Sequence, residues 1–389
     1  MRVLLFTGKG GVGKSTVAAG TAAAAARSGR RTLVLSTDAA HSLGDVYGVP
    51  AGPEPTEVAE RLFVAQVDAQ RRFEQSWAQI QEYLRGVLDV AGVDPVAAEE
   101  LTVLPGAEEV LALLELRAQA RQGQWDVIVV DCAPTAETLR LLALPEALGW
   151  YMTRVFPVQR RMVRALGPVL GRAAGVPMPG DPVFGAVEDL LRELGEVREL
   201  LTGPGASVRL VLTPERVVLA EARRSWTTLS LLGYAVDGVV ANRVFPGAEG
   251  DEWREGWVRA QAEVLRDLER SFDGLPVWRA AYRAEEPVGE QAVAEMALDL
   301  YAGQDPVAPP AGSAPFRVER SGAHLVMTVR LPLVGPEEVE LARRGDDLLV
   351  TVGSYRRVLS LPSAVHALPL AGARVEGGNL QVRFEEKVT

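Results

Sequence analysis

Three lysines occur in the 389 residues, Lys9, Lys14 and Lys387, against 38 arginines. Two of the three stand five positions apart in Gly8-Lys9-Gly10-Gly11-Val12-Gly13-Lys14-Ser15-Thr16. An ammonium on a thin stem fits a tight loop around phosphates; a broad planar guanidinium does not. Glycines at this spacing let backbone N–H groups turn inward around an anion, and a helix starting at the loop adds its positive pole. The pattern assigns Lys14 to the β- and γ-phosphates of ATP, the Ser15 hydroxyl to Mg2+ and Thr16 to the α-phosphate. Gly8, Gly10, Gly11, Val12 and Gly13 supply the backbone of the cradle. The chemistry is phosphoryl transfer to water; a glycine-rich turn without a ligand is the plain alternative.

Two carboxylates join this loop if the chain forms a parallel sheet. Asp38 follows the strand-like segment 31–37, and Asp131 ends the continuous apolar run 126–131. Carboxylates at the carboxyl ends of strands flanking the loop strand face the nucleotide crevice. Asp131 then contacts Mg2+ through water, and Asp38 orients the attacking water. Helix capping is the alternative role for each.

The elements that must position these groups are legible as alternating segments. Residues 2–7 form a buried strand, a helix runs from about Lys14 to Ser28, and further strands fall at 31–37, 126–131, 208–212 and 236–241, with a short one at 276–278. This order predicts a doubly wound, mostly parallel α/β sheet of the P-loop NTPase type. Insertions at about 55–122 and 145–202 read as helices beside the sheet. Residues 304–315 carry four prolines and read as a linker between an ATPase domain, 1–303, and a small all-β sandwich, 316–389. In the sandwich Leu325, Met327, Val329 and Leu331 alternate with His324, Val326, Thr328 and Arg330, and Gly377-Gly378-Asn379 suits a hairpin turn.

Composition narrows the function classes. The net charge of −10 disfavours nucleic acid, whose non-specific binding rests on a basic surface. Cys132 is the only cysteine, which excludes an intramolecular disulfide and a cysteine-cluster metal site within one chain. No apolar run is long enough for a membrane-spanning helix and no signal peptide is visible, so the expected location is the cytoplasm.

With Lys9 added, the loop resembles the deviant Walker A class, whose members are dimeric ATPases. The resemblance implies a homodimer in which Lys9 reaches the partner's nucleotide. Asp38-Ala-Ala-His-Ser-Leu43 and Asp131-Cys-Ala-Pro-Thr-Ala-Glu-Thr-Leu-Arg140 resemble the two switches of the anion-transporting ATPase family, which groups arsenite-pump ATPases with ATPases that target tail-anchored membrane proteins. Ala39, Cys132, Ala136 and Glu137 depart from the family pattern. Segments 213–216 and 239–244 resemble its later strands, which implies that Asn242 reads the adenine edge with Arg243 beside it, and 284–289 resembles a loop that closes over the base. The C-terminal segment resembles the α-crystallin-type domain appended to some bacterial members.

The lone cysteine cannot rebuild a multi-thiolate metalloid site, and there is no Cys-x-x-Cys pair to clamp a dimer with zinc. Residues 151–178 combine Met152, Met162 and Met178 with five arginines and no acid. They read either as an adaptable groove for an apolar client helix or as a face packed on the core. The reading is a cytoplasmic, Mg-dependent, nucleotide-gated homodimeric ATPase that binds or delivers hydrophobic protein segments such as those of tail-anchored membrane proteins. A pump-driving subunit docked on a membrane channel and an ATP-regulated holdase are the alternatives.

Overall fold

The computed structural model describes residues 1–37, 42–67, 107–133, 181–247, 250–310, 316–322, 324–361, 363–366 and 368–385, together with Thr135, Thr138, Leu139, Leu142 and Ala143. Asp38, the groove candidate 151–178 and the middle of the first insertion lie outside the described residues.

The apolar run Arg2–Thr7 forms β1, buried along its whole length. It lies between β5 (Val127–Asp131) and β6 (Ala206–Leu212) in a sheet ordered β3-β4-β2-β5-β1-β6-β7-β8. The other members are β2 (Thr32–Ser36), β3 (Thr56–Ala59), β4 (Leu62–Gln66), β7 (Val236–Val244) and β8 (Val277–Ala281). All neighbours pair in parallel except β3, which runs antiparallel on the edge. The central strands read as unbroken apolar runs because both faces are covered.

Register fixes where the chemistry sits. Phe6 and Ser36 both stand opposite Asp131. The loops leaving β1, β2 and β5 therefore open along one edge. The chain moves one way from β1 to β2 and the other way to β6, so the glycine loop lies at the topological switch point.

Helix α1 (Lys14–Arg27) is rich in alanine because it is enclosed on nearly every side. A Cβ on Gly20 would lie 2.6 Å from the Val293 carbonyl oxygen of α7 (Glu290–Tyr301). The remaining longer helices are α3 (Ala107–Arg121), α4 (Asp181–Thr202), α5 (Arg216–Leu232) and α6 (Glu252–Ser271); α2 (Ser42–Tyr47) is short.

The reading of the 55–122 insertion as helices needs correction at its start: residues 56–66 form the hairpin β3–β4, while Ala107–Arg121 is helical within the expected 97–122. The hairpin turns at Arg61, a non-glycine residue with φ 62°. No Gly, Asn or Asp marks that turn, and β3 is an exposed edge strand of four residues.

Beyond residue 310 two antiparallel sheets pack face to face. The strands are β9 (Phe316–Ser321), β10 (His324–Arg330), β11 (Val339–Arg344), β12 (Asp347–Val352), β13 (Tyr355–Ser360), β14 (Leu370–Glu376) and β15 (Asn379–Glu385); one sheet has the order β14-β15-β10-β9 and the other β11-β12-β13. Met327, Val329, Leu348, Val350, Leu380, Val382 and Phe384 fill the space between them. Gly377 and Gly378, with φ 56° and 69°, make the two-residue turn between β14 (Leu370–Glu376) and β15 (Asn379–Glu385). Positive φ at both positions matches the twist of a hairpin.

This sandwich rests on α5. Leu231 of α5 is fully buried within the sandwich core. Arg357 donates to the Leu231 carbonyl, Thr227 Oγ1 donates to Pro332 O (2.8 Å), and the Arg330 guanidinium lies over the Trp226 ring. The start of the proline-rich segment is held as well. Asp305 pairs with Arg30 (2.6 Å), Arg209 donates to Pro306 O (2.8 Å), and Val307 is buried.

Candidate active site

The loop between β1 and α1 is shaped by its glycines. Gly11 and Gly13 have φ 81° and 86°, a region closed to most side chains. A Cβ on Gly8 would collide with the Val211 carbonyl oxygen of β6, and one on Gly13 would collide with Asn242 Nδ2. Around Gly10 and Gly11 the space is open. The result is a backbone cradle walled by β6 and β7 and open toward solvent, followed at once by the N-terminus of α1. This is an anion site by construction.

Lys14 is buried, and its Nζ lies 3.5 Å from Lys9 O, so the side chain folds back across the loop. Among the described residues it has no ion-pair partner. A buried ammonium without a carboxylate is costly unless an anion completes it, and this fits a phosphate. Lys9, five residues earlier on the same loop, is exposed. Ser15 Oγ lies 3.2 Å from Ser42 Oγ at the start of α2, and Thr16 is half-buried.

Asp131 is fully buried at the carboxyl end of β5. Nearby in sequence, Thr135 Oγ1 is buried and has no hydrogen-bond partner among the described residues. Ser15 and Asp131 offer only oxygen donors, the set that suits a hard cation such as Mg2+. Asp38 follows Thr37, whose N–H donates to Asp131 O (2.9 Å), but lies outside the described residues.

Asn242 closes the other side. Its Nδ2 donates to Val12 O (2.8 Å), while its Oδ1 accepts from the Arg243 N–H (2.9 Å). Arg243 has φ 57° and forms a bulge in β7, where pairing with β8 skips from Ala241 to Val244. Bulges of this kind re-aim side chains beside active sites. Asn242 and Arg243 line a cavity of about 320 Å³ with Gly13, Thr16, Tyr282 and Pro287. The 284–289 segment thus shares one cavity with the loop.

Sequence reasoning missed two positioning residues. Gln261 of α6 brackets the bulge: Oε1 accepts from the Phe245 N–H (2.7 Å) and Nε2 donates to Arg243 O (3.1 Å). Tyr47 of α2 donates through its hydroxyl to Ala19 O of α1 (2.8 Å). Burial raises its phenol well above the usual range, with Glu290 and Asp131 adding to the effect, so it stays a donor. The one signal for Gln261 is a polar group on the buried face of α6, in line with Val264, Leu265 and Leu268, and no sequence signal marks Tyr47.

Comparison with known proteins agrees with this geometry. A family model described as anion-transporting ATPase matches residues 1–302, and one described as an HSP20-like domain found in ArsA matches 322–384. A protein of Chlorobaculum tepidum, named provisionally an arsenical pump-driving ATPase, is 35% identical, covering 99% of this chain and 96% of its own. A provisionally named arsenical pump-driving ATPase of Aquifex aeolicus is 32% identical over 97% of this chain and 98% of its own. An uncharacterised Streptomyces coelicolor protein is 39% identical over 99% and 97%. A phosphate cradle at the switch point of a parallel sheet, and a family model spanning that whole sheet, lead to one conclusion: the chain belongs to the anion-transporting ATPase family and is an ATP hydrolase, with an HSP20-like domain at its C-terminal side.

Proposed function

We propose that the chain is a Mg2+-dependent ATPase that works as a homodimer and uses its nucleotide state to bind and release apolar protein segments. The observation that carries the reading is the lysine pair: Lys14 buried in the loop, Lys9 exposed on its outer rim. The loop N–H groups and Lys14 hold the β- and γ-phosphates. Lys9 is free to reach the γ-phosphate of a nucleotide held by a facing subunit, adding positive charge where negative charge develops. Asp38 orients the attacking water. Ser15 and Asp131 would hold Mg2+, which neutralises charge on the β- and γ-oxygens when bound. Asn242 and Arg243, with the 284–289 segment, hold the base.

The 151–178 segment supports the client reading by composition: methionine, arginine and no acid. The test is co-expression with a membrane protein ending in a single C-terminal apolar helix, followed by affinity capture of the ATPase. The reading expects capture that ATP and its hydrolysis switch on and off. Equal recovery of the helix and of a polar control would remove the client role.

The relatives' names favour a second reading, a pump-driving ATPase acting on arsenicals. Against it, Cys132 is the only cysteine and is buried. A metalloid site built from several thiolates of one chain would find a single buried donor here. Arsenite or antimonite that accelerated phosphate release several-fold would favour the pump reading over ours.

A further inference from the structure

Helix α2 has six residues, yet it touches both ends of the nucleotide site. At its start Ser42 Oγ lies 3.2 Å from Ser15 Oγ, the hydroxyl assigned to Mg2+. Near its end the Val46 carbonyl accepts from the Gly289 N–H (2.8 Å), the last residue of the 284–289 segment at the base end. Between these points Leu43 is fully buried, and Tyr47 is 5% exposed. Tyr47 donates through its hydroxyl to Ala19 O of α1 (2.8 Å), so α2 is fixed to the helix that carries Lys14 and Ser15. Glu290, next to Gly289, pairs with Arg27 in the last turn of α1 (2.9 Å). The Tyr47 phenol, raised by burial first and then by Glu290 and Asp131, stands in the field of one carboxylate from the base side and one from the metal side.

We propose that α2 is a strut through which a seated base sets the reacting end of the nucleotide, and that Tyr47 is the positioning residue that keeps the strut rigid. The inference rests on the reading of the loop as the triphosphate cradle and of 284–289 as the base segment. A helix of this length is one stiff body about 9 Å long, so a displacement at Val46 reaches Ser42. Asp38 precedes Ser42 by four residues in the chain. Three anchors define the place of α2: Val46 on Gly289, Tyr47 on Ala19 and Ser42 on Ser15. A base that orders the 284–289 segment holds Val46 through the Gly289 N–H. The Tyr47 anchor turns that hold into a fixed position for Ser42 instead of a free swing. Phosphoryl transfer rests on positioning, and a misplacement on the order of 1 Å lowers a rate by about 100-fold. Binding energy from the remote base is thereby used at the γ-phosphate, so a triphosphate without a base fills the cradle but reacts slowly.

The test is phosphate release by the full chain at saturating Mg-ATP and at saturating Mg-tripolyphosphate, for the wild type and Tyr47→Phe. Thermal unfolding and titration with a fluorescent ATP analogue accompany it. Phenylalanine keeps the ring and removes the hydroxyl, and Ala19 O keeps its partner in the helix ladder, so no buried group is left unpaired. The expected result is a wild-type kcat at least tenfold higher for ATP than for tripolyphosphate. In Tyr47→Phe that ratio should fall at least fivefold, with analogue affinity within twofold of the wild type and an unchanged melting temperature. Equal loss on both substrates, or an unchanged ratio, overturns the strut and leaves Tyr47 a packing residue. Equal affinity of the wild type for ATP and tripolyphosphate removes the base seat at 284–289 and the strut with it. Should Tyr47→Phe unfold, Ser42→Ala cuts the strut at its other end and must lower the same ratio; a Ser42→Ala ratio equal to the wild type's overturns the proposal.

Discussion

Gly13 has no room for a side chain. Its φ of 86° and the Asn242 amide above it together exclude a Cβ. In Gly13→Ala the left-handed backbone adds about 1–2 kcal/mol of strain, and the methyl pushes Asn242 off Val12. We expect a melting temperature lower by several degrees and ATP affinity reduced at least tenfold, read by thermal unfolding and by titration with a fluorescent ATP analogue. Unchanged affinity would mean that the loop is not the phosphate site. Lys14→Ala should leave the fold intact and lower phosphate release by about 100-fold or more, the scale of losing a donor aimed at developing charge. The lysine pair was readable from the chain because loop, lysine and hydroxyl are neighbours in sequence. The Asn242–Val12 hydrogen bond spans 230 residues and depends on which strands become neighbours. The resemblance pointed to Asn242 as a reader of adenine. The structure adds that the same amide braces the loop, and neither composition nor period carries that information.

The elements that frame the site were legible where burial is uniform. β1, β5 and the alanine-rich α1 announce themselves as apolar runs because both faces of the sheet are covered. The β3–β4 hairpin was not legible. Its edge strand is exposed, its partner has five residues, and Arg61 rather than glycine takes the positive φ. Short apolar runs do not separate strand from helix by period alone. The β7 bulge was hidden for a related reason, since it is held by side-chain amides, Asn242 within the strand and Gln261 on the next helix. Gln261→Ala leaves the Phe245 N–H and the Arg243 carbonyl without that partner, a loss of about 1–3 kcal/mol. Denaturant unfolding should show the drop, and ATP affinity should fall with it as Arg243 and Asn242 loosen. Stability lost with affinity intact would confine Gln261 to a packing role.

At the scale of the whole molecule, the sandwich is docked on the ATPase body. Leu231 is buried in the sandwich core, Arg357 and Thr227 cross the boundary, and residues 305–307 are pinned by Arg30, Arg2 and Arg209. Proline content predicted a linker, and chain composition could not reveal that its first residues lie against the sheet. Removing residues 311–389 should therefore destabilise the ATPase body by at least the burial of one leucine, about 2 kcal/mol. An unchanged guanidinium midpoint would show that the two parts stand independently. In the proposed mechanism two lysines, one from each subunit, act on one γ-phosphate. The decisive measurement is phosphate release per chain against protein concentration for the wild type and Lys9→Ala. The wild-type rate per chain should rise with concentration to a plateau, and the Lys9→Ala rate should stay low although ATP still binds. A rate per chain independent of concentration and equal in the two proteins would contradict it.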